Sequence, residues 1–488
     1  METTLKKLKR PGRDNFVYML TKFFFSSLTA CELYYFSAYL TDGAMFNVAV
    51  VSLILTATSV IDTLFSLVNG VVLQKIGDLM PWGTYRSWLL VAPPLTLVTF
   101  IFCFVRVSAN EMVSAVVIII AFAVSHMIWS VGESALITMS VVMTDDTDER
   151  AKMSISLGRG SLGSTLIFGL VAAPLIGVFN NLTGGRFGYM GLALFFGVLN
   201  CLAYWWLFAI SKGCEDDKAT RNAKRERAAR AAQVSSRTAS IPQMYKIVFT
   251  SKNTIAMIIC VMLYYAHTFL ISATMVYYFT YCLNSPAVMG IFISIRALVG
   301  LASGWWIPIL LKLCGGNKKK AYIISYLIAF IGYFIIFLVR PSSFLLFAVL
   351  TLVTYFFSGG GSMLQTAMYA DCAVECEYKS GKDVRGMVMS FMSLPIKLGV
   401  VIRSGLVSAA LVMVGYSANM AATPAVVNGF NMVYLLWPAL LALGCAVVAL
   451  LLYKLPESKV TEMIAENDRR TLEDQKAVEA ALAKMEQL

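Results

Sequence analysis

Residues 211–251, SKGCEDDKATRNAKRERAARAAQVSSRTASIPQMYKIVFTS, form a polar and strongly basic interruption between long apolar runs. Six segments on either side of it are long enough to cross a bilayer, and this arrangement decides the fold. Crossing the hydrocarbon takes roughly 20 apolar residues as a helix, because no water is there to satisfy the backbone. Such segments lie near 16–40, 46–74, 86–107, 112–142, 154–180 and 187–211, then near 252–282, 286–313, 321–339, 343–370, 384–414 and 429–453. Of the 488 residues, 58% are hydrophobic and 14% charged, and the mean hydropathy is +0.72, which excludes a soluble globular domain. The sequence therefore predicts an all-α membrane protein with twelve transmembrane helices in two six-helix halves. Residues 1–211 form the first half, 212–251 a central cytoplasmic loop, 252–455 the second half and 456–488 a cytoplasmic tail. Two helical halves around a midplane cavity is a transporter layout.

The net charge of +12 could signal nucleic acid, so its distribution matters. Lys and Arg gather in alternate connections: the N-terminus, Lys75 and Arg86, Arg150 and Lys152, nine between Lys212 and Lys246, Lys318 to Lys320, and Lys379, Lys382 and Arg385. The other connections hold little beyond Arg106, Arg186 and Arg340. The excess thus reads as topology, with both termini cytoplasmic, as an even number of spans requires. The lipid bilayer is the expected macroscopic partner, and nucleic acid is not. Lys6, Lys7, Lys9, Arg10 and Arg13 lead straight into a full-length span, unlike a cleaved signal peptide. Ten scattered cysteines without a CxxC pair read as small core residues, not a disulfide framework or metal site. The loop run KATRNAKRERAARAAQ has the composition of a helix near anionic head groups or of a solvated linker helix. The tail ESKVTEMIAENDRRTLEDQKAVEAALAKMEQL reads as a surface helix with no assigned role. Two basic, glycine-containing turns, LQKIGDLMPWGTYRSW and LLKLCGGNKKKAY, fall at equivalent places in the halves and suggest an internal repeat.

A charged side chain near the bilayer centre costs on the order of 3 kcal/mol, so each one marks a functional site by default. Lys397, in GMVMSFMSLPIKLG (386–399), lies too deep beyond Arg385 for simple snorkelling. Asp62 lies midway along TATSVIDTLFSLVNG, where Ser59, Asp62, Ser66 and Asn69 recur at helical spacing and are expected to share one face. That set suits a proton or a hard cation such as Na⁺, or else a polar helix–helix contact. In SHMIWSVGESALIT, His126, Trp129, Ser130 and Glu133 form a second one-sided set. A carboxylate accepting hydroxyl hydrogen bonds beside an aromatic face suits a sugar, with an interior Glu–His pair as the alternative. Glu32, in CELYYFSAY, is a second acid for the cavity, and Arg296 is either a cavity cation or a structural partner. With two histidines, His126 and His267, and no nucleophile–base or metal cluster, the chain does not read as an enzyme.

These residues carry a resemblance. MYADCAVECEYKSGKDVRGMVMSFMSLPIKLG (368–399) resembles an ADCADYGEWKTGKR-type loop followed by a span bearing a lysine before Leu-Gly. QKIGDLMPWGTYRSWLL resembles a WGRFRPWLL-type turn after span two, and TDDTDER a TPDYNER-type turn after span four. The family they resemble is the glycoside-pentoside-hexuronide:cation symporters of melibiose permease type, within the major facilitator superfamily, over residues 15 to 455. The resemblance implies a major facilitator fold and alternating-access sugar transport coupled to a cation, with no other cofactor. It places Lys397 at the family's span-eleven lysine, which joins sugar and cation sites. It puts Glu133 at the acidic sugar-binding position of span four, Ser130 at a cation-liganding hydroxyl, and Asp62 at the first cation carboxylate of span two.

The chain also departs from the pattern. The D-x-x-N-D motif of sodium-using members reads here Asp62, Thr63, Leu64, Phe65, Ser66. The span-one sugar-binding aspartate aligns with Ser26, leaving Glu32 to supply a carboxylate. The span-four aromatic aligns with Ile137, leaving Trp129 as its substitute, and Arg159 lies near the span-five arginine. The expected substrate-binding set is thus Glu133, Lys397, Trp129, Arg159, Glu32 and Ser26, with Asp62, Ser66 and Ser130 coupling the cation. No metal is expected beyond Na⁺ at Asp62. One carboxylate is poor coordination for Na⁺, whereas a single desolvated carboxylate suffices to carry a proton, so the coupling cation is expected to be H⁺ rather than Na⁺. Lys397, Arg159, Arg296 and Arg403 favour an anionic substrate such as a glucuronide or other hexuronide by charge complementarity.

The resulting expectation is a secondary active importer of a sugar or glycoside, acting as a monomer in a bacterial cytoplasmic (inner) membrane. The runner-up is a lysolipid or other amphiphile carrier of the same fold, favoured by the missing span-one aspartate and the aromatic run MVYYFTYC. A non-transporting membrane sensor is the least expected, since the tail is too short for a signalling domain.

Overall fold

The computed structural model describes residues 8–486 apart from 67, 216, 217, 418 and 419; Lys6 and Lys7 of the basic N-terminus lie outside the described residues. The chain is helical throughout, without a strand among the described residues. Ahead of the central loop run α1 (Pro11–Ala38), α2 (Val48–Ser66), α3 (Asn69–Gly77), α4 (Arg86–Ile101), α5 (Glu111–Met143), α6 (Thr147–Leu182) and α7 (Gly188–Ile210). The loop holds α8 (Lys218–Val234) and α9 (Ile241–Thr250). Then follow α10 (Lys252–Tyr277), α11 (Met289–Leu313), α12 (Lys318–Val339), α13 (Phe344–Ser358), α14 (Gly361–Ser380), α15 (Arg385–Ser390), α16 (Ser393–Val414), α17 (Pro424–Asn431), α18 (Trp437–Leu452) and the tail helix α19 (Glu457–Glu486).

Eleven segments are long and apolar enough to cross a membrane, counting α13 with α14, α15 with α16, and α17 with α18. Helix α1, outside that set, spans 28 residues and carries Lys22 and Glu32 within it. With α1 included, long helices fall on all twelve segments read from the sequence. Span two passes into α3 at Val68, span ten breaks at Gly359–Gly360 and span eleven at Phe391–Met392. Such interruptions are tolerated in a membrane where they face protein or a cavity. Spans one and seven end alike. Each closes with a five-residue π-turn, Tyr39–Gly43 and Tyr278–Cys282, followed by a left-handed non-glycine residue, Met45 at φ 51° and Asn284 at φ 46°. This repeat of backbone geometry supports the repeat suggested by the two basic turns.

Within the first set α1 packs on α6 and α7, and α4 on α5 and α7; within the second α10 packs on α16 and α18, and α12 on α13 and α18. The two sets meet through α1 with α10, α2 with α16 and α6 with α11. At the last crossing the backbones touch: a Cβ on Gly169 would stand 2.6 Å from Gly290 O and 2.5 Å from Ser294 Oγ. Glycine at both positions is what allows that approach.

Lys9, just ahead of α1, donates to Lys212 O at the start of the loop; the side of the molecule that carries the loop helices and α19 is the near side. The tail is more than a surface helix. α19 packs on α14 and α8; Asn467 donates to Val374 O at 3.1 Å, and Ser235 and Ser236 of the loop donate to Asp474 at 2.6 and 2.8 Å. Buried Arg237 reaches Asn467 O at 3.0 Å and pairs with buried Glu377. The tail helix is docked by buried Val460, Met463 and Asn467 and by Asp474, while Arg469 pairs with Glu466 and Glu473 along its outer face.

Candidate functional site

The two sets enclose a cavity of about 370 Å³ at mid-span. Helix α1 presents Lys22, Ser26 and Glu32, spaced so that one helical face serves all three. Asp62 comes from α2; His126, Trp129, Ser130 and Glu133 come from α5; Phe269 from α10; and Ile396, Lys397 and Arg403 from α16.

The charges are arranged in pairs. Lys397 Nζ lies 2.5 Å from Asp62 Oδ2, and Lys22 Nζ lies 2.7 Å from Glu133 Oε1. His126 stands between two carboxylates, with Nδ1 3.6 Å from Asp62 Oδ1 and Nε2 3.2 Å from Glu32 Oε2. Its ring is stacked on Phe122 at 3.7 Å and on Trp129 at 5.6 Å between centroids, which fixes the plane in which both nitrogens point. Arg403 is buried, and its Nε and Nη2 have no hydrogen-bond partner among the described residues. Three acidic side chains thus face three basic ones across a small volume, with an imidazole linking two of the acids. Buried charges persist only when paired, and removing one member of such a set leaves the other uncompensated.

Several residues differ from their expected placement. Arg159 is exposed on α6 and does not line the cavity. Ser66 turns back to donate to Thr63 O at 2.7 Å, in the last turn of α2. Asn69 begins α3 and donates to Ser130 O and Ser134 Oγ at 3.1 and 3.0 Å. Ser59, Asp62 and Ser66 thus stay together on α2, while Asn69 belongs to the next helix, α3, a change of helix that periodicity alone does not reveal. Ser59 instead meets Ser404 at 2.6 Å. His126 pairs with Glu32 and Asp62 rather than with Glu133. Arg296 is buried in α11 with its guanidinium 4.7 Å over the Tyr355 ring, outside the cavity lining. Ile137, aligned with the family's aromatic, is 50% exposed on the outer surface of α5. Ser26, Glu32, Trp129, Ser130, Glu133 and Lys397 all reach the cavity. Lys22 is the residue that sequence reading missed. It carries the same signal as Lys397, a lysine inside an apolar run, and its nearness to the basic N-terminus masked it.

Hydrogen bonds between the spans of the two sets, among the described residues, lie at the level of the cavity or on the side away from the termini. They join Ser37 to Ala273 O, Thr41 to Tyr277, Asp42 to Tyr416, Ser59 to Ser404, Asp62 to Lys397, and Ser294 to Leu166 O. Direct contacts between the sets thus close up the helices on the far side around Thr41, Asp42, Tyr277 and Tyr416.

Twelve long helices in two packed sets, with ionisable groups gathered at mid-span between them, define a membrane transporter rather than an enzyme. The chain belongs to the MFS/sugar transport protein family, whose model matches residues 18–457. It is 25% identical over 483 residues to the isoprimeverose transporter of Lactiplantibacillus pentosus, covering 97% of this chain and 94% of that one. It is 29% identical over 204 residues to a glucuronide carrier protein homolog of Escherichia coli, covering 42% and 44% of the two chains. A putative sulfoquinovose importer of Salmonella typhimurium is 22% identical, covering 83% and 81%. Among solved structures, a D-xylose-proton symporter superposes with a TM-score of 0.60 at 12% identity, covering 91% of this chain and 98% of that one, which speaks for the fold.

Proposed function

We propose that the protein imports a sugar or glycoside by alternating access in symport with H⁺, the two sets of six spans rocking as halves about the central cavity. The observation that carries the reading is the occupancy of Asp62 Oδ2 by Lys397 Nζ at 2.5 Å, with His126 at Oδ1. A hard cation such as Na⁺ wants about six oxygens, several of them anionic. Here one carboxylate is engaged by a lysine and a histidine, and Ser66 points elsewhere. A proton needs only one acceptor. Glu32, His126 and Asp62 form a chain along which protonation of the imidazole weakens or strengthens the hold on each acid.

Glu133 and Lys22, with Ser26 and Ser130, offer donors and acceptors for sugar hydroxyls, beside Trp129. Arg403, lacking hydrogen-bond partners at two nitrogens, favours a substrate bearing a carboxylate or sulfonate, as in the relatives named for glucuronide and sulfoquinovose. The positive-inside pattern puts the near side in the cytoplasm, so the far-side seal corresponds to an inward-facing state of a monomer in a bacterial cytoplasmic membrane. An amphiphile carrier is disfavoured by six acidic and basic side chains in so small a cavity, whose pairs an apolar tail would have to displace.

Uptake of a panel of glycosides, pentosides and hexuronides by cells lacking their own permeases, under an imposed pH gradient or an imposed Na⁺ gradient, tests this. Accumulation driven by the pH gradient alone is expected. Accumulation driven only by Na⁺ would overturn the proton assignment, and no sugar movement under either would overturn the substrate class.

A further inference from the structure

A second cavity, of about 790 Å³, lies on the near side within the second set, where α9 meets the near-side ends of α10, α14 and α18. Its walls bring apolar and basic side chains together, with Thr250, Ser251, Asn253, Cys376 and Ser380 between them. Ile247, Ile255, Leu451 and Leu452 are apolar, and the last two are 60% and 47% exposed at the end of a membrane-spanning helix. Three lysines, Lys252, Lys379 and Lys454, line the same space.

The lysines differ in what holds them. Lys379 Nζ lies 2.6 Å from Glu375 Oε1, a carboxylate that also accepts from Asn253 Nδ2 at 3.0 and 2.9 Å. Lys252 and Lys454 are in no ion pair among the described residues. Lys319 adds positive charge beside Lys454, its ammonium donating to Leu450 O and Tyr453 O at 3.1 and 2.6 Å. Helix α9 flanks the cavity and exposes Tyr245 and Phe249, 41% and 48%, as an amphipathic element at a membrane surface does.

Neither water nor hydrocarbon alone suits such a place. Water leaves the leucines uncovered, and hydrocarbon leaves two ammonium groups without a counter-charge. An amphiphile with an anionic head satisfies both, and basic recesses between spans at the cytoplasmic surface have the chemistry that holds anionic lipid head groups. Free phosphate would neutralise the lysines but would not cover Leu451 and Leu452. We propose that this cleft binds an anionic phospholipid, its phosphodiester between Lys252 and Lys454 and an acyl chain along Ile255, Leu451 and Leu452. The site lies apart from the central cavity and stands whether or not the sugar reading above holds.

The test uses the full chain in detergent micelles doped with phosphatidylglycerol or phosphatidylcholine, with the thermal unfolding midpoint as readout. Phosphatidylglycerol is expected to raise the midpoint more than phosphatidylcholine at equal mole fraction. In Lys252→Gln/Lys454→Gln the phosphatidylglycerol fraction needed for a half-maximal shift is expected to rise on the order of tenfold. Lys252→Arg/Lys454→Arg should restore the wild-type response, which separates lost charge from lost folding. Lys459→Gln/Lys476→Gln, which changes two lysines on the tail helix, should leave the response intact. Equal response to both lipids, an unchanged response in the Gln pair, or a loss in the tail control would overturn the proposal. So would an equal midpoint shift with inorganic phosphate alone, which would make the cleft a free-anion site.

Discussion

Spans one and seven occupy equivalent places in the two sets and end in the same π-turn followed by a left-handed residue, yet their inner faces share little. Span one brings Lys22, Ser26 and Glu32 to the cavity, while span seven brings Phe269 and turns His267 away, its Nδ1 2.8 Å from Pro438 O. The same division holds for the sets as wholes. All three cavity carboxylates come from the first set, whereas the second contributes Lys397, Arg403 and apolar side chains. Backbone geometry is held in common by how a span must end and pack; side-chain chemistry is free to diverge. A consequence is that the charge pair joining the sets, Asp62 with Lys397, is one-sided: an acid from the first set and a base from the second.

The largest effect is expected from breaking that pair. Asp62→Asn removes a charged hydrogen bond of roughly 1.5–3 kcal/mol and leaves Lys397 facing an amide. Gradient-driven accumulation should fall to the equilibrium level while substrate exchange persists, as measured by counterflow of labelled sugar. Wild-type accumulation in the variant would show that the pair does not couple transport.

Next comes the crossing of α6 and α11, where no acid or base is involved. Gly290→Leu would force the helices apart at Gly169, and overpacking of this kind costs typically about 1–3 kcal/mol. A cysteine introduced at Thr41, on the sealed side, should then react several-fold faster with an impermeant maleimide. Unchanged labelling would mean that charge alone closes the far side.

Asp42→Asn sharpens the same question from the polar side. Asp42 Oδ1 accepts from Tyr416 at 2.5 Å, and neutralising it should weaken the seal by about 1 kcal/mol, a smaller gain in labelling than Gly290→Leu gives.

The smallest effect concerns the contact between the loop and the tail. Burial works to raise the Asp474 carboxyl, but hydrogen bonds from the Ser235 and Ser236 hydroxyls and the Ser236 backbone outweigh it and hold the group below its ordinary value. Its contribution to tail docking is therefore present above the usual aspartate range and lost as pH falls through the lower folded value. Protection of the tail against limited proteolysis should be constant from about pH 7 to 5. It should decline only in stronger acid, and it should be reduced at all these values in Asp474→Ala.

The positions of the spans were legible because a helix in lipid must satisfy its own backbone and present apolar side chains all round, a requirement local to some twenty residues. The cost of burying charge, equally local, marked Asp62, Glu133, Lys397 and Glu32 as residues of interest. Their partners were not legible. His126 lies near Glu133 in sequence but bridges Glu32 and Asp62 in space, because three helices converge there and the stacked rings of Phe122 and Trp129 set its orientation. Asn69 passed to the next helix, Ser66 stayed on α2 but bonds its own turn, and Arg159 came to lie outside the cavity through the rotation of α6. Which residues must be inside the membrane follows from each segment's own chemistry. Which of them touch depends on how helices far apart in the chain rotate and pack against one another, and that only the tertiary structure decides.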